Sequence, residues 1–166
     1  MKKLVTATIA IAVFGAPLYA QDTVEEGTIL VQPERATFVS NIERELDRQL
    51  YRTPYPGGIR EAGVVKVQFV ANAEGRAEQV RLFEDSGSVR MDHAALRAVQ
   101  RLDNLGSSRS ADDGGQDVLL TIVFANSERE AERLVERVAD ENAALVASGA
   151  LDPQVLAITM VPATRS

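Results

Sequence analysis

"GVVKVQFVANAEGRAEQVRLFEDSGSVRMDHAALRAV", residues 63–99, changes its hydrophobic period part-way along, and that change decides the fold. Val65, Val67, Phe69 and Ala71 alternate with Lys66, Gln68 and Val70, the period of two that belongs to a strand with one face turned to a core. "NAEGR" interrupts the alternation, with Gly75 supplying the positive φ of a hairpin turn, and a second strand follows over residues 77–84 through Val80 and Leu82. Gly87 then turns the chain. From there Ala94, Ala95, Ala98, Val99 and Leu102 recur at helical spacing behind Asp92, which stands where an N-cap belongs, so a helix is expected over about residues 92–103.

Upstream, Phe38, Ile42, Leu46 and Leu50 recur every fourth residue with Val39 beside them, which predicts a helix from about residue 34 to 50, with Ser40 and Glu43 as a capping box just inside it. "YRTPYPGG" ends that helix, because Pro54 and Pro56 break the ladder and two glycines follow. Downstream, the polar loop "NLGSSRSADDGGQ" leads to "DVLLTIVF", residues 117–124, whose β-branched and aromatic content predicts a third strand. Ser127 and Glu130 then form a second capping box. Ala131, Leu134, Val135, Val138, Asn142 and Leu145 continue as a long amphipathic helix to about residue 147. "VLAITMV" near the end fits either a fourth strand or an extended tail, and periodicity does not decide between them. The lead-in over residues 21–33 stays unassigned.

The first twenty residues carry a positive start, an apolar run from Leu4 to Phe14 and the small-residue end "GAPLYA", the layout of a cleavable secretory signal peptide. The apolar stretch, broken by Gly15 and Pro17, would reach only about 25 Å as a helix against a hydrocarbon core of about 30 Å, so membrane association is expected only if this segment stays uncleaved. Cleavage would remove Lys2 and Lys3, move the formal charge from −6 to −8 and leave Lys66 as the sole lysine among 15 arginines. That balance argues against nucleic acid as a partner. With no cysteine in the chain, neither disulfides nor thiolate metal sites are available, and stability must come from an ordinary core. The organisation expected is a signal peptide (1–20), an extension (21–33), one globular domain (34–126) and a helical extension with a tail (127–166).

Three clusters invite a chemical reading. Ser86, Asp92 and His93 hold the residue types of a hydrolytic triad, yet Asp92 and His93 are neighbours in a first helical turn and point about 100° apart, whereas an orienting carboxylate meets the imidazole edge. His93 as a metal ligand lacks any second histidine or cysteine. "SADDGGQD", with Asp112, Asp113 and Asp117, has glycines and carboxylates but not the alternating order or closing glutamate of a calcium loop. The charged run "SEREAERLVERVADEN" places its charges mainly opposite the apolar stripe, as a helix packed on a domain does, and is shorter than three heptads. No catalytic residue, metal site or cofactor is expected, and the protein is not expected to be an enzyme.

From Tyr55-Pro56 through residues 63–71, Gly75-Arg76, residues 77–84, Ser86-Gly87 and the Asp92-led, alanine-rich helix to Val99, the order and spacing of these elements resemble the C-terminal domain of TonB-type and TolA-type periplasmic proteins. The similarity extends over about residues 36–126. It implies an α+β fold: a small antiparallel three-stranded sheet with helices packed on one face, to which this chain adds a C-terminal helix. It also implies a function, in which the third strand is an open edge that takes an extended segment of an outer-membrane transporter or other envelope protein by strand addition. On that resemblance the candidate docking residues are Val118, Leu119, Leu120, Thr121, Ile122, Val123 and Phe124, with Tyr55 and Pro56 as a second segment. A periplasmic binding module is the leading expectation. An anchored energy transducer and a self-associating envelope domain, with a homodimer among its states, are the alternatives. Energy transducers of the family carry a long anchor and a proline-rich spacer, whereas here the thirteen residues from Gln21 to Pro33 reach at most about 45 Å.

Overall fold

The computed structural model describes residues 33–52, 61–106, 115–152 and 154–162. The chain order is α1 (Pro33–Arg52), β1 (Gly63–Ala71), β2 (Ala77–Glu84), α2 (Val89–Val99), β3 (Gln116–Phe124), α3 (Glu128–Ala147) and β4 (Leu156–Met160). Pro33 opens α1 at a position where a missing N–H costs nothing. Ser40 and Glu43 therefore lie well inside the helix, and the capping box expected there does not cap.

The four strands form one mixed sheet in the order β2-β1-β3-β4, with β1 antiparallel to both its neighbours and β4 parallel to β3. The expected three-stranded antiparallel sheet is thus corrected to four strands. The physical reason lies in α3. A parallel neighbour needs a long crossover to bring the chain back to the same end of the sheet, and α3 supplies it, so "VLAITM" returns alongside β3 instead of trailing as a tail.

The sheet has two covered faces. On one, Val65, Val67 and Phe69 of β1, Val118, Leu120 and Ile122 of β3 and Leu156, Ile158 and Met160 of β4 pack in a single core with Phe38, Ile42 and Leu46 of α1 and Met91, Ala95 and Val99 of α2. The other face carries the alternate residues Lys66, Leu119, Thr121 and Val123, all buried, beneath α3, whose most buried residue is Val138. Helices α1 and α2 therefore share one face, as expected, and the added helix α3 covers the other. From Val118 to Phe124 strand β3 is buried on both faces, under α1 and α2 on one and α3 on the other.

Local chemistry sets the joints. Gly75 holds a φ of 75° in the hairpin turn, where its N–H donates to the Asn72 carbonyl at 2.9 Å and its own carbonyl accepts from the Leu105 N–H at 3.0 Å. Ser127 caps α3 as expected, accepting from the Glu130 N–H at 3.3 Å, while the Glu130 carboxylate accepts from the Asn126 N–H at 2.9 Å. At the other end Gly149 (φ 70°) closes the helix in a Schellman arrangement, its N–H donating to Val146 at 3.1 Å and that of Ala150 to Leu145 at 3.0 Å.

Candidate functional site

The strand nominated as a docking edge is an interior strand. Opposite β1, β3 is paired along its whole length from Gln116 to Phe124. On its other side Val118, Leu119, Leu120, Thr121 and Ile122 stand opposite Leu156, Ala157, Ile158, Thr159 and Met160. Val123 and Phe124 extend past that register and are buried as well. The expectation of an open edge is corrected over Val118 to Ile122, where the chain's own β4 already occupies it. Tyr55 and Pro56 lie outside the described residues.

Among the described residues the two outer strands, β2 and β4, each have one side without a partner, and their chemistry differs. The edge strand β2 carries two register irregularities against β1, a left-handed backbone at Gln79 (φ 51°), and the exposed charges Glu78, Arg81 and Glu84. Bulges and charges are the devices that discourage pairing along an edge. Strand β4 has neither; its register with β3 is regular and "LAITM" is uncharged. Its start is pinned by the Gln116 side-chain amide, which donates to the Gln154 carbonyl at 3.1 Å, and by an Asx turn in which the Gln154 N–H donates to Asp152 Oδ1 at 2.8 Å. Pro162 lacks an N–H and so cannot extend the ladder as a donor.

Behind β3, α3 is tied to the sheet by Lys66, a residue whose burial the alternation of residues 64–70 did not signal. Its ammonium, 1 % exposed, lies 2.8 Å from Glu84 Oε2 on β2 and 2.8 Å from Glu141 Oε2 on α3, so one charge joins three elements. Burial alone would lower the lysine pKa, but the hydrogen bonds to Glu141 and Glu84 outweigh it and hold the ammonium above its ordinary value. Within the same face the Thr121 hydroxyl and the Asn142 carboxamide oxygen are buried with no hydrogen-bond partner among the described residues. The one signal for Lys66 was its position, the only lysine outside the first twenty residues and set between valines.

At the joint between β2 and α2, the helix begins at Val89 with Ser88 in the N-cap position, and Asp92 is not the cap. Its Oδ1 instead accepts from the Ser86 N–H at 2.9 Å and the Ser86 hydroxyl at 2.7 Å, locking the incoming loop against the helix. His93 is exposed. Among the described residues no group of three or more His, Cys, Asp or Glu is placed to hold a metal ion.

A hairpin followed by a helix behind it and a third strand beside it, with the Ser86–Asp92 lock between, occupies the part of the chain that a family model also selects. Residues 59–123 match the family described as the Gram-negative bacterial TonB protein C-terminal. The chain contains a TonB C-terminal domain. No curated protein and no solved structure matches the chain. Such domains belong to the cell envelope and interact with outer-membrane proteins as a class. In this chain the TonB C-terminal match stops at Val123, so α3 and β4, which close the β3 edge, both lie beyond it. No described helix is long and apolar enough to cross a membrane.

Proposed function

We propose that the chain is a periplasmic protein-binding module, exported by cleavage of residues 1–20, that takes an extended segment of an outer-membrane transporter or other envelope protein by strand addition at the β3/β4 end of its sheet. The observation that carries this reading is the strand already seated there: β3 of the TonB C-terminal domain accepts a fourth strand in regular register, while the opposite edge at β2 is bulged and charged. Backbone pairing of this kind gives affinity with modest demands on the partner's sequence.

Site-specific photo-crosslinking in cells tests it. A photoreactive residue replacing Asp117, exposed at the start of β3, should give an adduct with an outer-membrane protein, and the same residue replacing Gln79 on β2 should not. Adducts from position 79 alone would place the binding surface at the wrong end of the sheet and contradict the reading.

A further inference from the structure

The geometry points to β4 as an exchangeable in-cis occupant of the docking edge, so that the partner is a segment with β4's own pattern: apolar residues at three alternate positions, small or uncharged residues between them, and no charge over five residues. This inference rests on the strand-addition reading above and names both the surface, β3 residues Val118 to Ile122, and the kind of segment that fits it.

Three observations support exchange over permanent sealing. First, β4 is short: five residues pair with β3, its outer side carries no further strand among the described residues, and its start is held to β3 through the Gln116 side chain, which donates to the Gln154 carbonyl. Second, α3 touches β4 but also has attachments of its own on β1 and β3. Val138 is buried on the sheet and Glu141 is bound to Lys66, which joins it to β1 in the middle of the sheet. The helix is also closed by its Schellman turn before the connection to β4 begins, and a Cβ at Gly149 would meet nothing within 4 Å. β4 can therefore leave on a short tether while α3 continues to cover Leu119, Thr121 and Val123. Third, what β4 contributes to the core is replaceable in kind. Leu156, Ile158 and Met160 insert into the main cluster from alternate positions, and an incoming strand with the same alternation restores both the backbone ladder and the apolar contacts.

A tethered occupant is present at high effective concentration, so a partner competes against it and its apparent affinity falls by the fraction of molecules in which the edge is vacated. The strand thus sets a threshold that a poorly matching segment does not pass. Exchange breaks and remakes the same number of ladder hydrogen bonds.

The chain has no cysteine, which permits a clean test. Thr121 and Thr159 are register partners on the α3 side of the sheet, and neighbouring strands about 4.8 Å apart fall within the Cα separation of about 4.4–6.8 Å that a disulfide spans. The probe is a fluorescein-labelled peptide copying residues 154–162, followed by fluorescence polarisation against full chain carrying T121C and T159C. With the disulfide closed, capture should be lost, and reduction should restore it. Ile158→Ala, which loosens β4 without touching β3, should tighten capture by about tenfold or more by raising the vacated fraction. Capture undiminished by the closed disulfide overturns exchange and leaves strand addition standing at the outer side of β4. Failure of every form to capture the peptide, Ile158→Ala included, overturns strand addition itself. Should the cysteine pair fail to fold, the Ile158→Ala comparison decides alone: tighter capture supports exchange, and unchanged capture overturns it.

Discussion

Two side chains organise the domain at the scale of single residues, and each makes a prediction opposite to its first appearance. Asp92 looks like a helix cap but serves as the acceptor for Ser86, so Asp92→Ala strands the Ser86 N–H and hydroxyl and should cost about 1–3 kcal/mol in chemical denaturation. Neighbouring His93 is exposed, and His93→Ala should stay within about 0.5 kcal/mol of the parent. Lys66 looks like a solvent-facing strand residue but is a buried cation between two half-exposed carboxylates. Replacing both partners, Glu84→Gln with Glu141→Gln, leaves the ammonium buried without a counter-charge and should cost about 3 kcal/mol, whereas Lys66→Met frees two carboxylates that already reach water and should be nearly neutral. The pH dependence follows from the raised lysine pKa: the contribution is present in full below the unfolded lysine value of about 10.4 and is lost as pH rises through the higher folded value. Denaturation midpoints compared between pH 7 and pH 11 should fall more for the parent than for Lys66→Met. Neither residue's role was legible in advance, because a carboxylate in a first turn serves a cap or a loop equally well, and period-two alternation does not foresee a helix laid over the polar face.

At the scale of elements, the hairpin, α1, α2 and β3 were legible because each announces its period and its stops: alternation through Val65, Val67 and Phe69, a turn at Gly75, and helical stripes through Ile42 and Leu46 or Ala95 and Val99. β4 was not. Its residues are a short apolar run without a local mark of which strand they join, and a parallel pairing is specified only by the tertiary path of α3. The amphipathicity of α3 was visible, but not the face of the sheet it would cover, since its single deeply buried residue is Val138. The consequence for β3 is testable by proline substitution. Adjacent amides in a strand point to opposite sides, so an edge strand tolerates proline at alternate positions, whereas β3 is paired on both sides at Leu120 and Thr121. Leu120→Pro and Thr121→Pro should both abolish the cooperative unfolding transition seen by circular dichroism. A folded Thr121→Pro or Leu120→Pro would mean that one side of β3 is unpaired.

At the scale of the whole molecule, a TonB C-terminal domain is extended by a helix and a strand that complete its sheet from within the same chain. On the proposed reading residues 1–20 are removed on export, so intact mass spectrometry of the periplasmic fraction should find a chain beginning at Gln21; recovery of only the full-length chain from membranes would favour an anchored transducer. The central claim is that β4 seats on β3 and leaves no open edge there, and amide hydrogen exchange reads it most directly. In an edge strand every second amide of β3 would face water and exchange quickly, giving an alternating pattern along Val118, Leu119, Leu120, Thr121 and Ile122. With β4 in place the account predicts protection at all five, since successive N–H groups donate to β1 on one side and β4 on the other. Fast exchange at alternate positions in the free protein would contradict it.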